Sequence, residues 1–228
     1  MTDLEPGALG RAIFGEDDAA RRALLLAAVQ DRRVFAALVP VLQAGVASAS
    51  TTERARAVHA ARALAVRAVV EPLLAAWEAE PERFLDVPDP LASPPGTPLA
   101  LAAYACVRDL HVRGDLQAGN FLRAGLAIPV LRVEAFYAIG AEAGGALVPH
   151  LAALLGARPD LAGPAATLFA LRFREDALAA CEALSTAPVA VRRAFGTALL
   201  RHLARVKAVR LMVACRASLF SREHGSAP

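Results

Sequence analysis

Lysine is nearly missing from this sequence. Lys207 is the only one, and arginine supplies the rest of the 25 basic side chains. Aromatic residues make up 5% of the chain, with one tryptophan and two tyrosines. A surface that grips phosphates wants dense cations, and one that stacks bases wants aromatic faces. Both resources are thin here. The three cysteines, Cys106, Cys181 and Cys215, lie far apart with no C-x-x-C pair, which excludes a zinc knuckle or a thioredoxin-type site and reads as three small buried residues. Runs of alternating β-branched and aromatic residues are absent, so strands are not expected. No charge-poor apolar run reaches the roughly 18–20 residues that span a bilayer. The opening, MTDLEPGALG, has no basic stretch followed by an apolar one, so no secretory signal is expected and the chain reads as a soluble, cytoplasmic protein.

The usual signatures of catalysis are missing too. His59, His111, His150, His202 and His224 are scattered, and no H-E-x-x-H occurs. There is no phosphate-binding G-x-x-x-x-G-K-[ST] loop and no G-x-S-x-G. The expectation is a non-enzymatic chain with no catalytic residue, no metal and no cofactor.

Apolar residues fill 56% of the 228 positions, many of them alanine. Alanine, leucine and arginine are strong helix formers, and alanine lets helices pack closely, so the fold class is all-α. Self-similarity organises the helices. Leu116, Leu147, Leu178 and Val209 recur at intervals of 31 residues, and LVPVLQAGV from Leu38 matches VEPLLAAWE from Val70 at 32. Pro98, Pro129, Pro159 and Pro188 recur with similar spacing at the openings of the intervening apolar segments. About 31 residues hold two helices of roughly 11–13 residues and two short turns. Pro40, Pro72 and Pro149 then fall in the first turn of the second helix, where a proline breaks no internal hydrogen bond. Asp17 and Asp18 start a helix, Ser50–Glu53 fits a capping box, and Asp115 is an N-cap.

The stretch PVLRVEAFYAIGAEAGGALVPHLAALL, from Pro129 to Leu155, resembles a HEAT repeat of the short bacterial kind. That resemblance implies one right-handed α-solenoid of six helix pairs, at about 17–45, 51–79, 98–125, 129–156, 159–185 and 188–218. A proline-rich, acidic loop is expected at 80–98 and a flexible tail at 219–228. It also implies a scaffold or adaptor that binds a partner helix or extended peptide on a concave face lined by the second helices.

Charge points to one end of the chain. Between Glu182 and Glu223 no acid occurs, yet Arg192, Arg193, Arg201, Arg205, Lys207, Arg210, Arg216 and Arg222 do. Arg201 and Arg205 are four apart on one helix face, with Arg193 two turns earlier. An acidic protein partner is the expected ligand, and a homo-oligomer is compatible with so apolar a chain. The alternative is a DNA-binding protein resembling the HEAT-like alkylpurine DNA glycosylases. For it the sequence offers Trp77, Tyr104 and Tyr137 with Arg108, Asp109 and Arg132 in repeat register. The candidate binding residues are therefore Arg193, Arg201, Arg205, Arg132, Trp77 and Tyr137.

Overall fold

The computed structural model describes residues 5–140, 144–172 and 174–220, and these are helical, with no strand among them. The chain divides into two compact units, residues 1–134 and 135–228. Among the described residues no helix is long and apolar enough to cross a membrane.

The first unit opens with α1 (Pro6–Phe14), which the sequence reading did not anticipate although Pro6 at its first position is a start signal. α2 (Asp18–Gln30), α3 (Arg32–Val46), α4 (Thr51–Ala63) and α5 (Val70–Ala79) follow, with α2 packed on α3 and α3 on α4. After the short α6 (Glu82–Leu85) come α7 (Leu99–Leu110) and α8 (Leu116–Ala124). Within this unit α4 packs on α7, while α3 packs on α5 and α5 on α8. α9 (Arg132–Ile139) crosses the boundary between the units. The second unit contains α10 (Gly144–Ala157), α11 (Ala162–Arg172), α12 (Arg174–Leu184), α13 (Val189–Arg205) and α14 (Val209–Phe220). There α11 packs on α13, α10 on α12, and α12 on α14.

Local chemistry sets the boundaries. Asp17 accepts from the amides of Ala19 and Ala20, and Asp115 from those of Gln117 and Ala118, so both cap as their sequence positions predict. The Ser50 capping box is longer than expected. Ser50 Oγ accepts from the Glu53 amide, but the return bond runs through Ser48, whose hydroxyl accepts from the Ser50 amide and donates to the Glu53 carboxylate at 2.6 Å. Ala65 and Lys207 both take the left-handed region at φ 54, each ending a helix with the following amide bonded back five residues. This is a Schellman-type end, where glycine is the unstrained choice.

Three sequence expectations need correction. Pro72 does lie in the first turn of α5, but Pro40 and Pro149 lie inside α3 and α10. Each interior proline removes one intrahelical hydrogen bond, so these two helices begin further upstream than the proline rule implies. The 31-residue register brings Leu116, Leu147, Leu178 and Val209 into the early part of the second helices, yet only Leu147 is fully buried; Leu116 and Val209 start their helices and are exposed. The expected tail begins too early, because α14 continues to Phe220 with Leu219 buried; residues from 221 onward lie outside the described residues.

The segment between α5 and α7 is a folded loop. Phe84 of α6 is buried. Pro88 and Pro98 form an isolated antiparallel bridge, with the Asp89 amide donating to Thr97 O at 2.7 Å and the Leu99 amide to Val87 O at 2.9 Å. Arg54 of α4, itself buried, donates to Arg83 O at 3.0 Å and to Ser48 O, and its guanidinium lies 5.0 Å from the centre of the Phe84 ring. Burial, with Arg83 nearby, pulls its pKa below the ordinary arginine value.

Small residues set the helix spacing. α4 buries Ala55, Ala57, Ala60 and Ala61, and α7 buries Ala100, Ala102, Ala103 and Ala105. At Gly45 of α3 a Cβ would sit 2.5 Å from the Phe14 ring and 2.8 Å from Ala57 Cβ. The Ala57 atom is fixed to its backbone and cannot move aside. Overpacking of about 1–3 kcal/mol should therefore outweigh the helix propensity of about 1 kcal/mol that alanine gains over glycine. Gly10, inside α1, has open space around it. Gly45→Ala is expected to lower the urea midpoint, and Gly10→Ala to raise stability by about 0.5–1 kcal/mol. Equal shifts of the same sign in the two variants would refute close α3–α4 contact as the constraint.

Candidate functional site

In the second unit α13 follows Pro188 and buries Val191, Phe195, Leu199 and Leu203. Helical periodicity turns the positions between them outward, so Arg193, Thr197 and Arg201 stand four apart on the exposed face. With Ala194, Ala198, Pro159 and the first residues of α11, Ala162 and Gly163, they line an open groove of about 530 Å³. Its floor is alanine and glycine, which brings backbone close to any occupant. Arg205 is exposed one turn beyond Arg201. Among the described residues Arg193, Arg201 and Arg205 make no ion pair, and Asp160, beside the groove-lining Pro159, is held by Arg158 at 2.7 and 2.9 Å.

α13 is held in place by polar contacts of its own. Thr167 Oγ1 of α11 donates to Gly163 O at 2.9 Å, which leaves it to accept from His202 Nε2 at 2.7 Å. That arrangement fixes the imidazole tautomer with a hydrogen on Nε2. Arg192 donates to Ser185 O at 3.2 Å and to Leu219 O at 3.4 Å, and is therefore a bracing residue rather than part of the exposed basic face.

The other sequence-predicted residues lie elsewhere. Trp77 is 8% exposed, stacked on Phe84 at 5.1 Å and in a T-shaped contact with Phe121 at 5.0 Å, so it belongs to the core. Arg132 donates from Nε to Leu126 O at 2.9 Å and from Nη2 to Ala127 O at 3.5 Å, closing the turn before α9. Tyr137 is 46% exposed and meets Phe136 edge-on at 5.8 Å. Tyr104 is fully buried and donates to Leu122 O at 2.8 Å; burial pushes its pKa up.

Asp109 sits in a charge ladder. It accepts from Arg62 Nε at 2.7 Å and Arg108 Nε at 2.9 Å, while Arg108 Nη1 donates to Glu134 at 2.6 Å. Burial pushes the Asp109 carboxyl up, but the hydrogen bonds and charges of Arg108 and Arg62 outweigh it and hold the pKa below the ordinary value. A carboxylate so stabilised is a weak base, which suits an ion-pair role.

One pairing was not legible in the sequence. His59 Nε2 of α4 meets Asp89 Oδ2 at 2.7 Å, and Asp89, 4% exposed, also accepts from the Leu91 amide at 2.9 Å. The two residues are 30 positions apart, and no spacing rule links a helix histidine to a loop aspartate. Cys181 and Cys215 also come together, and their shared hydrogen bond, with burial, pushes the Cys181 thiol up. No group of three His, Cys, Asp or Glu able to hold a metal occurs among the described residues. The chain matches no protein-family model, no curated protein and no solved structure.

The buried thiols give a direct test. Burial pushes Cys106 up to about 12. A thiol whose folded pKa is raised stays protonated in the fold after the unfolded chain has lost its proton. Its contribution is complete below the unfolded value near 8.5 and is lost as pH rises from there to about 12. Unfolding free energy should fall over that range by up to about 1.4 kcal/mol per pH unit per thiol, and the fall should be shallower in Cys106→Ala. The native protein should also resist a thiol reagent that modifies all three cysteines in denaturant. Rapid native labelling of Cys106 would contradict its burial.

Proposed function

We propose that this chain is a non-enzymatic scaffold built from stacked HEAT-like helix pairs, whose basic C-terminal helices receive an acidic segment of a protein partner. Packing supports the stacked-pair reading. In each unit a helix lies against the corresponding helix of the adjoining pair: α4 with α7 and α3 with α5 in the first, α11 with α13 and α12 with α14 in the second. That neighbour-to-neighbour pattern is what a right-handed α-solenoid requires, because each pair buries its apolar face only against the next.

One observation carries the partner class. Arg193 and Arg201 line a single groove and make no ion pair among the described residues, the neighbouring Asp160 being taken up by Arg158. Unpaired cations beside a small-residue floor fit an extended acidic peptide, whose backbone can lie close while its carboxylates reach the guanidinium groups. The alkylpurine DNA glycosylase reading has weaker support, since Trp77 is buried among aromatic rings and Arg132 is engaged with carbonyl groups. A cytoplasmic location fits a scaffold of this kind.

A flexible, fluorescently labelled peptide rich in aspartate and glutamate is expected to bind the full chain with a salt-sensitive Kd. The double variant Arg193→Glu and Arg201→Glu should weaken it by at least about tenfold, an energy of about 1.4 kcal/mol, while changing stability by less than about 0.5 kcal/mol. A duplex DNA titration at low and high salt is the counter-measurement. Tight, salt-sensitive duplex binding together with no peptide binding would reverse the assignment.

A further inference from the structure

α14 presents two different faces. Cys215 and Leu219 turn inward: the Cys215 thiol lies 3.8 Å from Ala177 O of α12, and Leu219 packs beside Gly196 of α13. Val209 and Val213, four apart on the other face, are 60% and 62% exposed. Arg210 and Arg216 flank them and are also exposed, and Lys207 immediately precedes the helix. At its first turn an open cavity of about 630 Å³ has Leu178, Val209 and Leu211 as apolar wall and Lys207, Arg210 and Glu175 at its edge.

Two local costs coincide at this edge. Exposed valine on a helix is a poorer helix former than the long polar residues that normally occupy such positions. Lys207 holds a left-handed backbone at φ 54 where glycine would be unstrained. Neither choice improves the isolated chain.

We propose that this face of α14 is a docking site for an acidic amphipathic helix of a protein partner. An apolar stripe at three-and-four spacing on such a helix would cover Val209 and Val213, and its carboxylates would meet Lys207, Arg210 and Arg216. Charge decides against a second copy of this chain. A two-fold pairing of this face sets three cations of one copy against the same three of the other, with only Glu175 at the cavity edge to offset them. The inference takes the partner's class from the scaffold reading but places it on a surface separate from Arg193 and Arg201.

The test uses a labelled synthetic helix with leucine at the apolar positions and glutamate elsewhere, titrated against the full chain by fluorescence anisotropy. Val213→Gln and Lys207→Gly are each expected to raise Kd by about tenfold. The second change removes the amine and also relieves the backbone, so its loss of binding cannot be ascribed to misfolding. The double variant Arg193→Glu and Arg201→Glu should leave this Kd within about twofold, and a lysine-for-glutamate version of the peptide should not bind. No binding of the glutamate helix overturns the proposal. Binding that ignores Val213→Gln and Lys207→Gly but is lost in the Arg193/Arg201 variant also overturns it, while leaving the scaffold reading standing. A dimer in sedimentation velocity that Val213→Gln dissolves would assign the face to self-association instead.

Discussion

The distance at which one helix backbone can approach another governs this protein. At the α3–α4 crossing Gly45 lies where even one methyl would collide with Phe14 and with Ala57 Cβ. The same solution recurs in the second unit, where a Cβ at Gly196 would meet the Phe220 ring at 2.6 Å, and one at Gly140 would meet Leu168 at 2.7 Å. α4 and α7 each bury four alanines alongside larger residues such as Val58 and Tyr104. Each alanine buries little area, so the core gains by many close van der Waals contacts rather than by a few large side chains. That choice explains how a chain with so few aromatic residues still encloses a core.

Where large groups are used, they are concentrated. Trp77, Phe84 and Phe121 cluster beneath the loop that separates α5 from α7, and Arg54 closes the cluster with a buried guanidinium. A cation taken out of water needs partners. Arg54 finds two carbonyl oxygens and an aromatic face instead of a carboxylate, while its Nε lacks a hydrogen-bond partner. His59, five residues later on α4, holds the buried Asp89 of the same loop. One helix thus anchors the start and the middle of a proline-rich segment whose backbone makes little regular structure of its own.

The all-α class and several helix starts were legible because periodicity, caps and turn residues are local signals. Asp17, Asp115 and the serine before Glu53 each act within a few residues of where they stand in the chain. The interior prolines misled because they mark a turn only when the helix starts where expected, and tertiary packing extended α3 and α10 upstream of them. Of the candidate binding residues, Arg193 and Arg201 come together because i, i+4, i+8 spacing on one helix is itself geometry. Trp77 and Arg132 were drawn into the fold by partners distant or irregular in sequence, Phe121 for one and two turn carbonyls for the other. The His59–Asp89 and Cys181–Cys215 contacts join residues about 30 positions apart, a separation at which a single sequence gives no sign of proximity.

The left-handed residue that ends α13 is the only lysine in the chain. An acylating or aldehyde reagent thus meets a single side-chain amine, at the α13–α14 corner and on a rigid turn rather than a loose loop. Its side chains thus offer one amine attachment point: a dye, crosslinker or acyl group on Lys207, once resolved from one on the α-amine, reports on that corner without any residue having to be engineered.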